Sequence, residues 1–433
     1  MFSIFPRVRA RFGCLSAILC SLIVWQTQVL ASKEVPLGLQ EAADLAVTGQ
    51  PLLEGLDAQA QSAREMAVAA SQLPDPQLKA GVTNLPANTD SRFSLSQDFM
   101  TMTGAGLMQE FPRAEKRRLR GELMEREAQR IDAERELTDR RVRRDAALAW
   151  LEAWRAKRTL GLRIATLQEA RAQQDAVAIA LKTGGSTQAD YLAARQEADR
   201  LRDDVAAAEQ GTGHAQATLS RWLGNAAFRS IAPDLPVAPP LPDLDIALER
   251  IADHPLLTER FAAVAQSETG AALAQADYKP DWRVELGYAY RPNFSEMLML
   301  QVGVDLPVFT RNRQDRRLAA ALAQKDSAES AVEDQRRQLQ AEVRHNHHDV
   351  EQLSLRLRDY EQTLLPQSEH RITAALSGWR SGRNALREVL EARRAALEVQ
   401  LAALDLQFER AQHVVQLNYL GAFSLSAAET GHE

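Results

Sequence analysis

Two short stretches, KTGGSTQADYLAAR at 182–195 and WRSGRNALREVLEAR at 379–393, decide how this chain is built. Each places a glycine six residues ahead of an acid: Gly184 before Asp190, and Gly382 before Glu388. Each acid has a leucine two places on, at Leu192 and Leu390. The flanking sequence is rich in Ala, Leu, Gln, Glu and Arg, which give up little freedom in a helix. A glycine between two such segments lets the backbone reverse sharply, because it carries no Cβ. Both stretches therefore read as tight turns between long helices.

Working outward, the two turns belong to two copies of one unit. LPDPQLKAGV at 73–82 answers YKPDWRVELGY at 278–288, and LMQEFPRAEKRR at 107–118 answers VGVDLPVFTRNRQDRR at 302–317. Pro51-Leu52-Leu53 likewise answers Pro255-Leu256-Leu257. The period of roughly 200 residues is too long for a solenoid and indicates a duplicated half. Pro233, Pro236, Pro239, Pro240 and Pro242 forbid a continuous helix, so 233–243 is an extended connector. The first repeat is then 32–232, the second 244–420, and 421–433 a C-terminal tail.

Each repeat orders its elements as helix, two strands, very long helix, turn and return helix. The first helices run about 39–73 and 244–278. After them the pattern changes to alternation. Val284, Leu286, Tyr288 and Tyr290 lie on one face, against Arg283, Glu285, Gly287 and Ala289 on the other. Leu298, Leu300, Val302, Val304 and Leu306 alternate in the same way with Met297, Met299, Gln301, Gly303 and Asp305, and Leu78, Ala80 and Val82 repeat the pattern more weakly. One apolar face and one mixed face suits a barrel strand between lipid and lumen. No proline interrupts 113–183, a helix of roughly 107 Å at 1.5 Å per residue. The return helix at 187–222 and the helix at 39–73, laid end to end, match that length. In the second half Pro366 must kink the long helix or be absorbed as a local break. Leu397, Leu401, Leu404, Phe408, Ala411 and Val415 have the three-four spacing of a coiled-coil seam. Four strands cannot close a barrel, so the chain must oligomerise. The fold class is α+β, mainly α.

Composition agrees with this. Aromatics are 6%, low for a chain built of compact sheets. Arg7, Arg9 and Arg11, the apolar stretch 12–25 and the small residue Ala31 read as a cleaved signal peptide over 1–31. Cys14 and Cys20 both lie inside it, so the mature chain beginning near Ser32 has no thiol for a disulfide or a metal. Leu19 is too bulky for lipid attachment at Cys20. Without the three arginines, 52 basic residues become 49 against 58 acidic ones, a formal charge of −9. That balance argues against nucleic acid as a partner. No run after Ala31 approaches 18 apolar residues, so entry into a membrane must be by strands in a closed barrel.

Over about 37–420 the chain resembles the TolC family of outer-membrane efflux channels, through the duplicated unit and the Gly-x5-acid-x-Leu turns. Asp75-Pro76, Asn84-Leu85-Pro86, Phe99-Met100-Thr101-Met102 and the run from Gln109 to Arg118 are similar to its heavy-metal branch, the CzcC-like and CusC-like channels. The resemblance implies a homotrimer in the outer membrane that extends into the periplasm. Three chains of four strands would form a 12-stranded barrel, and their helices a tunnel closed near the two turns. Its implied partners are outer-membrane lipid, a periplasmic adaptor (membrane fusion) protein and an inner-membrane RND pump. It implies no cofactor and no enzyme activity. The implied cargo is heavy-metal cations; the alternative is a drug-efflux or type I secretion channel.

The resemblance also places the adaptor contact and the gate at the turns: Gly184, Gly185, Asp190, Trp379, Gly382, Arg383 and Asn384. Asp190 stands where relatives carry an acid that helps hold the tunnel shut, and Trp379 where an aromatic often lies near the gate. One relative has an arginine where this chain has Asn384, with Arg383 one place earlier, which leaves the specific gating pair open. From the residues themselves, Met102, Met108, Met297 and Met299 fall on the lumen side of the strands. Thioethers bind soft ions, although methionine also fills irregular packing. His345 and His348 share a helix face and are a second weak metal candidate, against a solvated coiled-coil face. The basic runs at 116–120 and 311–317 suit headgroups or neighbouring acids. No phosphate loop, zinc-protease motif or triad competes. A periplasmic adaptor would have one hairpin, not two, and a purely structural coiled coil would lack the alternating strands.

Overall fold

The computed structural model describes residues 35–88 and 90–423. The signal segment, both cysteines and the tail beyond 423 lie outside those residues. From Pro36 onward the described chain forms one compact unit. Its elements are α1 (Leu39–Val47), α2 (Pro51–Ser71), β1 (Gln77–Thr83), β2 (Met102–Phe111), α3 (Ala114–Lys182), α4 (Gln188–Leu223), α5 (Leu244–Glu249), α6 (Pro255–Ala276), β3 (Trp282–Tyr290), β4 (Met297–Val304), α7 (Gln314–Asp359), α8 (Leu365–Arg380) and α9 (Leu386–Tyr419).

The four strands form one antiparallel sheet in the order β1-β2-β3-β4, so the β2–β3 pair joins the two halves. Register puts Leu78, Leu107, Leu286 and Leu300 in a single row across the sheet. All four are more than half exposed. The adjacent rows on the opposite face read Gln77, Met108, Glu285, Gln301 and Lys79, Gly106, Gly287, Met299. There Lys79 Nζ donates to Glu285 Oε2 at 2.7 Å, reaching across the intervening strand. One face is thus apolar and open, the other polar and partly covered.

Two helices expected to be continuous are broken. The segment 39–73 divides at Gly49, whose φ is +65°, and restarts with Pro51 at the first helical position. The segment 244–278 divides at a 3₁₀ turn, Arg250–Asp253, and restarts with Pro255. The cause is shared: the proline ring excludes its predecessor from the helical region, and Gln50 and His254 are both extended. His254 is fully buried. Its Nδ1 accepts from the Leu256 amide at 3.2 Å and its Nε2 meets the Tyr419 carbonyl at 3.2 Å, tying the start of α6 to the end of α9.

Helix α3 is unbroken for 69 residues, about 104 Å at the standard rise. Its partner in the second half is interrupted by a π-helical turn, Tyr360–Leu364, just before Pro366. The wider turn removes the backbone geometry in which Pro366 would clash with the preceding turn. One half of α3 packs on α2 and α6, near the sheet; the other packs on α4 and α9. An alanine face makes the first contact close: Ala60 and Ala63 of α2 meet Ala128 and Ile131 of α3. Midway, Trp150 and Trp154 anchor the largest core and donate to the carbonyls of Leu37 and Pro233, both at 2.9 Å.

Where α3 and α6 meet the strands, Lys116 is buried, and its Nζ donates to the Lys279 carbonyl at 2.6 Å and to Asp281 Oδ2 at 2.9 Å. Arg118 pairs with Glu122, and Arg317 lies 3.8 Å from Asp277. The basic runs therefore meet neighbouring acids at the base of the sheet.

Candidate functional site at the hairpin tips

The helices α3–α4 and α8–α9 end in two turns of the same construction. At the first, the Gly184 amide donates to the Leu181 carbonyl at 3.3 Å and the Gly185 amide to the Ala180 carbonyl at 2.8 Å. At the second, the Gly382 amide donates to Trp379 at 3.0 Å and the Arg383 amide to Gly378 at 2.9 Å. This paired 5→2 and 6→1 closure satisfies the last free helix carbonyls and needs a left-handed residue after the cap. Gly184 and Gly382 supply it, with φ of +77° and +70°. Three residues after each glycine comes the residue that immediately precedes the return helix, Thr187 at the first tip and Ala385 at the second.

The caps differ. Thr187 Oγ1 accepts from the Asp190 amide at 3.1 Å, while Asp190 Oδ2 accepts from the Thr187 amide at 3.1 Å, from Thr187 Oγ1 at 2.7 Å and from Ser186 Oγ at 3.2 Å. These bonds form a reciprocal capping box. The Thr187 hydroxyl, then the Thr187 amide and Ser186, hold the Asp190 carboxyl below its usual range. Ala385 has no side chain with which to cap. Instead Asn384 lies across Gly378, so close that a Cβ there would sit 2.5 Å from Asn384 Nδ2.

The tips share a small core of Val177 and Ala194 with Ala375, Leu386, Val389 and Leu390, which Tyr191 and a half-buried Trp379 flank. Above it, side chains cross between the hairpins. Buried Glu197 accepts two bonds from Arg394, one at 2.8 Å, and Arg393 pairs with Glu169 at 3.1 Å. Asp190 and Arg383 make no ion pair among the described residues. Arg383 Nε donates to Ser381 Oγ at 2.9 Å. The capping box has a sequence signal in the Thr187…Asp190 spacing. The Glu197–Arg394 pair, separated by 197 residues, left no sequence signal. Nor did the need for Gly378.

Register sets Met102, Met108, Met297 and Met299 on the polar face of the sheet, opposite the leucine row. Met108 is buried, with Lys79 Nζ 3.4 Å from its sulfur; Met297 and Met299 are exposed. His345 pairs with Asp349 at 3.2 Å rather than acting with His348. The intervening His347 is buried, its Nε2 2.9 Å from the Pro242 carbonyl. Among the described residues no helix is long and apolar enough to cross a membrane.

Residues 248–421 match the family model described as outer membrane efflux protein. A search of curated proteins finds no match. Among solved structures, CusC aligns at TM-score 0.73 and 18% identity, over 89% of this chain and 92% of CusC. The CmeC outer membrane channel of Campylobacter jejuni aligns at 0.73 and 14%, over 90% and 86%. The open-state MtrE outer membrane channel of Neisseria gonorrhoeae aligns at 0.69 and 19%, over 89% and 88%. The fold is that of the TolC-like outer-membrane channels.

Proposed function

We propose that this chain is the outer-membrane channel of a tripartite efflux system, a homotrimeric conduit with no chemistry of its own. The observation that carries the reading is the sheet. It has one row of exposed leucines, an opposite face of Lys79, Glu285 and Gln301, and outer edges on β1 and β4 that pair with no other strand among the described residues. Exposed strand edges invite pairing with another chain, and lipid is the solvent that accepts such a face. Edge-to-edge closure of three copies satisfies both needs.

In this reading the helices continue into the periplasm, and the tips meet the periplasmic adaptor and, through it, an inner-membrane RND pump. The tunnel narrows at the tips. Asp190 Oδ1 and the terminal nitrogens of Arg383 make no bond among the described residues, which leaves them for a neighbouring copy. Trp379 packs behind. We assign heavy-metal cations as the cargo, on the four methionines of the polar face and the branch-like segments around Pro76 and Pro112. The test is twofold. Native mass spectrometry of the detergent-purified protein gives a trimer; a monomer overturns the channel reading. Deleting the gene sensitises cells to divalent or soft metal ions more than to dyes or antibiotics; the opposite ranking overturns the cargo and leaves the channel.

A further inference from the structure

Behind the tips, α3, α4 and α9 enclose a polar layer between two apolar ones. Toward the turns lies the core that contains Val177, Ala194 and Leu390; on the other side lie Leu167, Ala170, Ala198 and Leu201, with Leu397 packed against them. A cavity of about 20 Å³ borders both cores. Its polar lining comes from all three helices: Thr166 and Gln173 of α3, Glu197 of α4, and Arg393 and Arg394 of α9.

Two donors of this lining have no acceptor. Gln173 is only 6% exposed, and its Nε2 makes no hydrogen bond among the described residues. The buried Nε of Arg393 makes none either, although the other end of that guanidinium reaches Glu169. A buried donor left without a partner is costly, and native interiors rarely contain one. Two of them beside one cavity point to a guest that offers lone pairs.

Size and charge identify the guest. A single water needs about 10–15 Å³ and two to four polar partners, and the cavity supplies both. Arg393 and Arg394 are answered by Glu169 and Glu197, so the layer is neutral as it stands and favours a neutral guest over an anion. Each Glu197 oxygen takes one bond from Arg394 and keeps a lone pair for a hydrogen of the guest. We propose that one ordered water occupies this cavity, accepting from Gln173 Nε2 and Arg393 Nε and donating to Glu197. It thereby ties α3 to α9, the first hairpin to the second. A buried polar layer tolerates one alignment of its helices, because any slip leaves its members unpaired. The water completes such a layer and holds the two hairpins in register behind the tips.

The test is a crystal structure of the full chain, purified in detergent, at a resolution that shows ordered water, from crystals grown with and without sodium bromide. One water is expected about 2.7–3.2 Å from both Gln173 Nε2 and Arg393 Nε, with no bromide signal in its place. Gln173→Leu removes one end of the bridge. Amide hydrogen exchange in α9 around Arg393 should then rise at least about fivefold, since a buried donor is left unpaired. The structure of the unmodified chain decides the matter even if that variant does not fold. The proposal is overturned if bromide occupies the cavity, or if the Gln173 amide turns and accepts directly from Arg393 Nε. Unchanged exchange around Arg393 in a folded Gln173→Leu chain overturns it as well.

Discussion

The two hairpin tips have one backbone and two sets of side chains. Each closes with the same pair of hydrogen bonds, around a left-handed glycine, and restarts its helix four residues later. The first then locks Thr187 and Asp190 together, while the second leaves Ala385 bare and folds Asn384 over Gly378. The same contrast recurs at the broken helices: Pro51 follows Gln50, whose side chain makes no cap bond, and Pro255 follows His254, which caps and reaches Tyr419. Duplication has kept what the chain path requires, and side-chain chemistry has diverged around it. The glycine answers a left-handed backbone angle that is costly for most other residues, whereas the loss of a cap is small against a long packed helix.

The largest expected difference between the halves is in acid. Burial, only partly opposed by the Tyr419 carbonyl, pushes the His254 pKa down from 6.5 to about 4. Above pH 6.5 the ring is neutral folded or unfolded. Below it the unfolded chain takes the proton first, so stability falls as pH drops toward 4, by about 3 kcal/mol in all. Denaturation at stepped pH should show this loss, and His254→Gln, which copies Gln50, should flatten the curve over that window. An unchanged acid slope in the variant would place the sensitivity elsewhere.

Next in size are the turn glycines. No atom lies within 4 Å of a Cβ built on Gly184 or Gly382, so substitution meets backbone strain alone. Gly184→Val and Gly382→Val should each cost about 1–3 kcal/mol of local stability, equally at the two tips, and weaken adaptor docking. Hydrogen exchange at both turns checks the equality; a one-sided effect would break the analogy between the tips.

The smallest effect sharpens the contrast. Thr187→Ala removes the box and should cost about 1 kcal/mol, read as faster exchange of the first amides of α4. Ala385→Ser supplies a cap that the second tip lacks and should slow exchange at the start of α9 by a similar free energy. If Thr187→Ala leaves α4 unaltered, the two tips are equal in energy as well as in path.

The duplication, the two glycine turns, the strand faces and the length of α3 are all written in local spacing along the chain. Periodicity of 2 or 3.6, a glycine after a helix and a run without proline act on neighbours in the chain. The sequence also carried the break at Pro366, though not its form as a π turn. The divisions at Pro51 and Pro255 were legible too, since a proline restricts the residue before it. Which distant side chains meet is set by packing. Glu197 finds Arg394, His345 finds Asp349 and His413, Asn384 needs the bare face of Gly378, and Lys116 closes on Asp281. Most of these pairs join residues far apart in sequence, and each depends on which helix face turns toward which neighbour, a choice made by packing among α3, α4, α7 and α9 and not by any one of them alone.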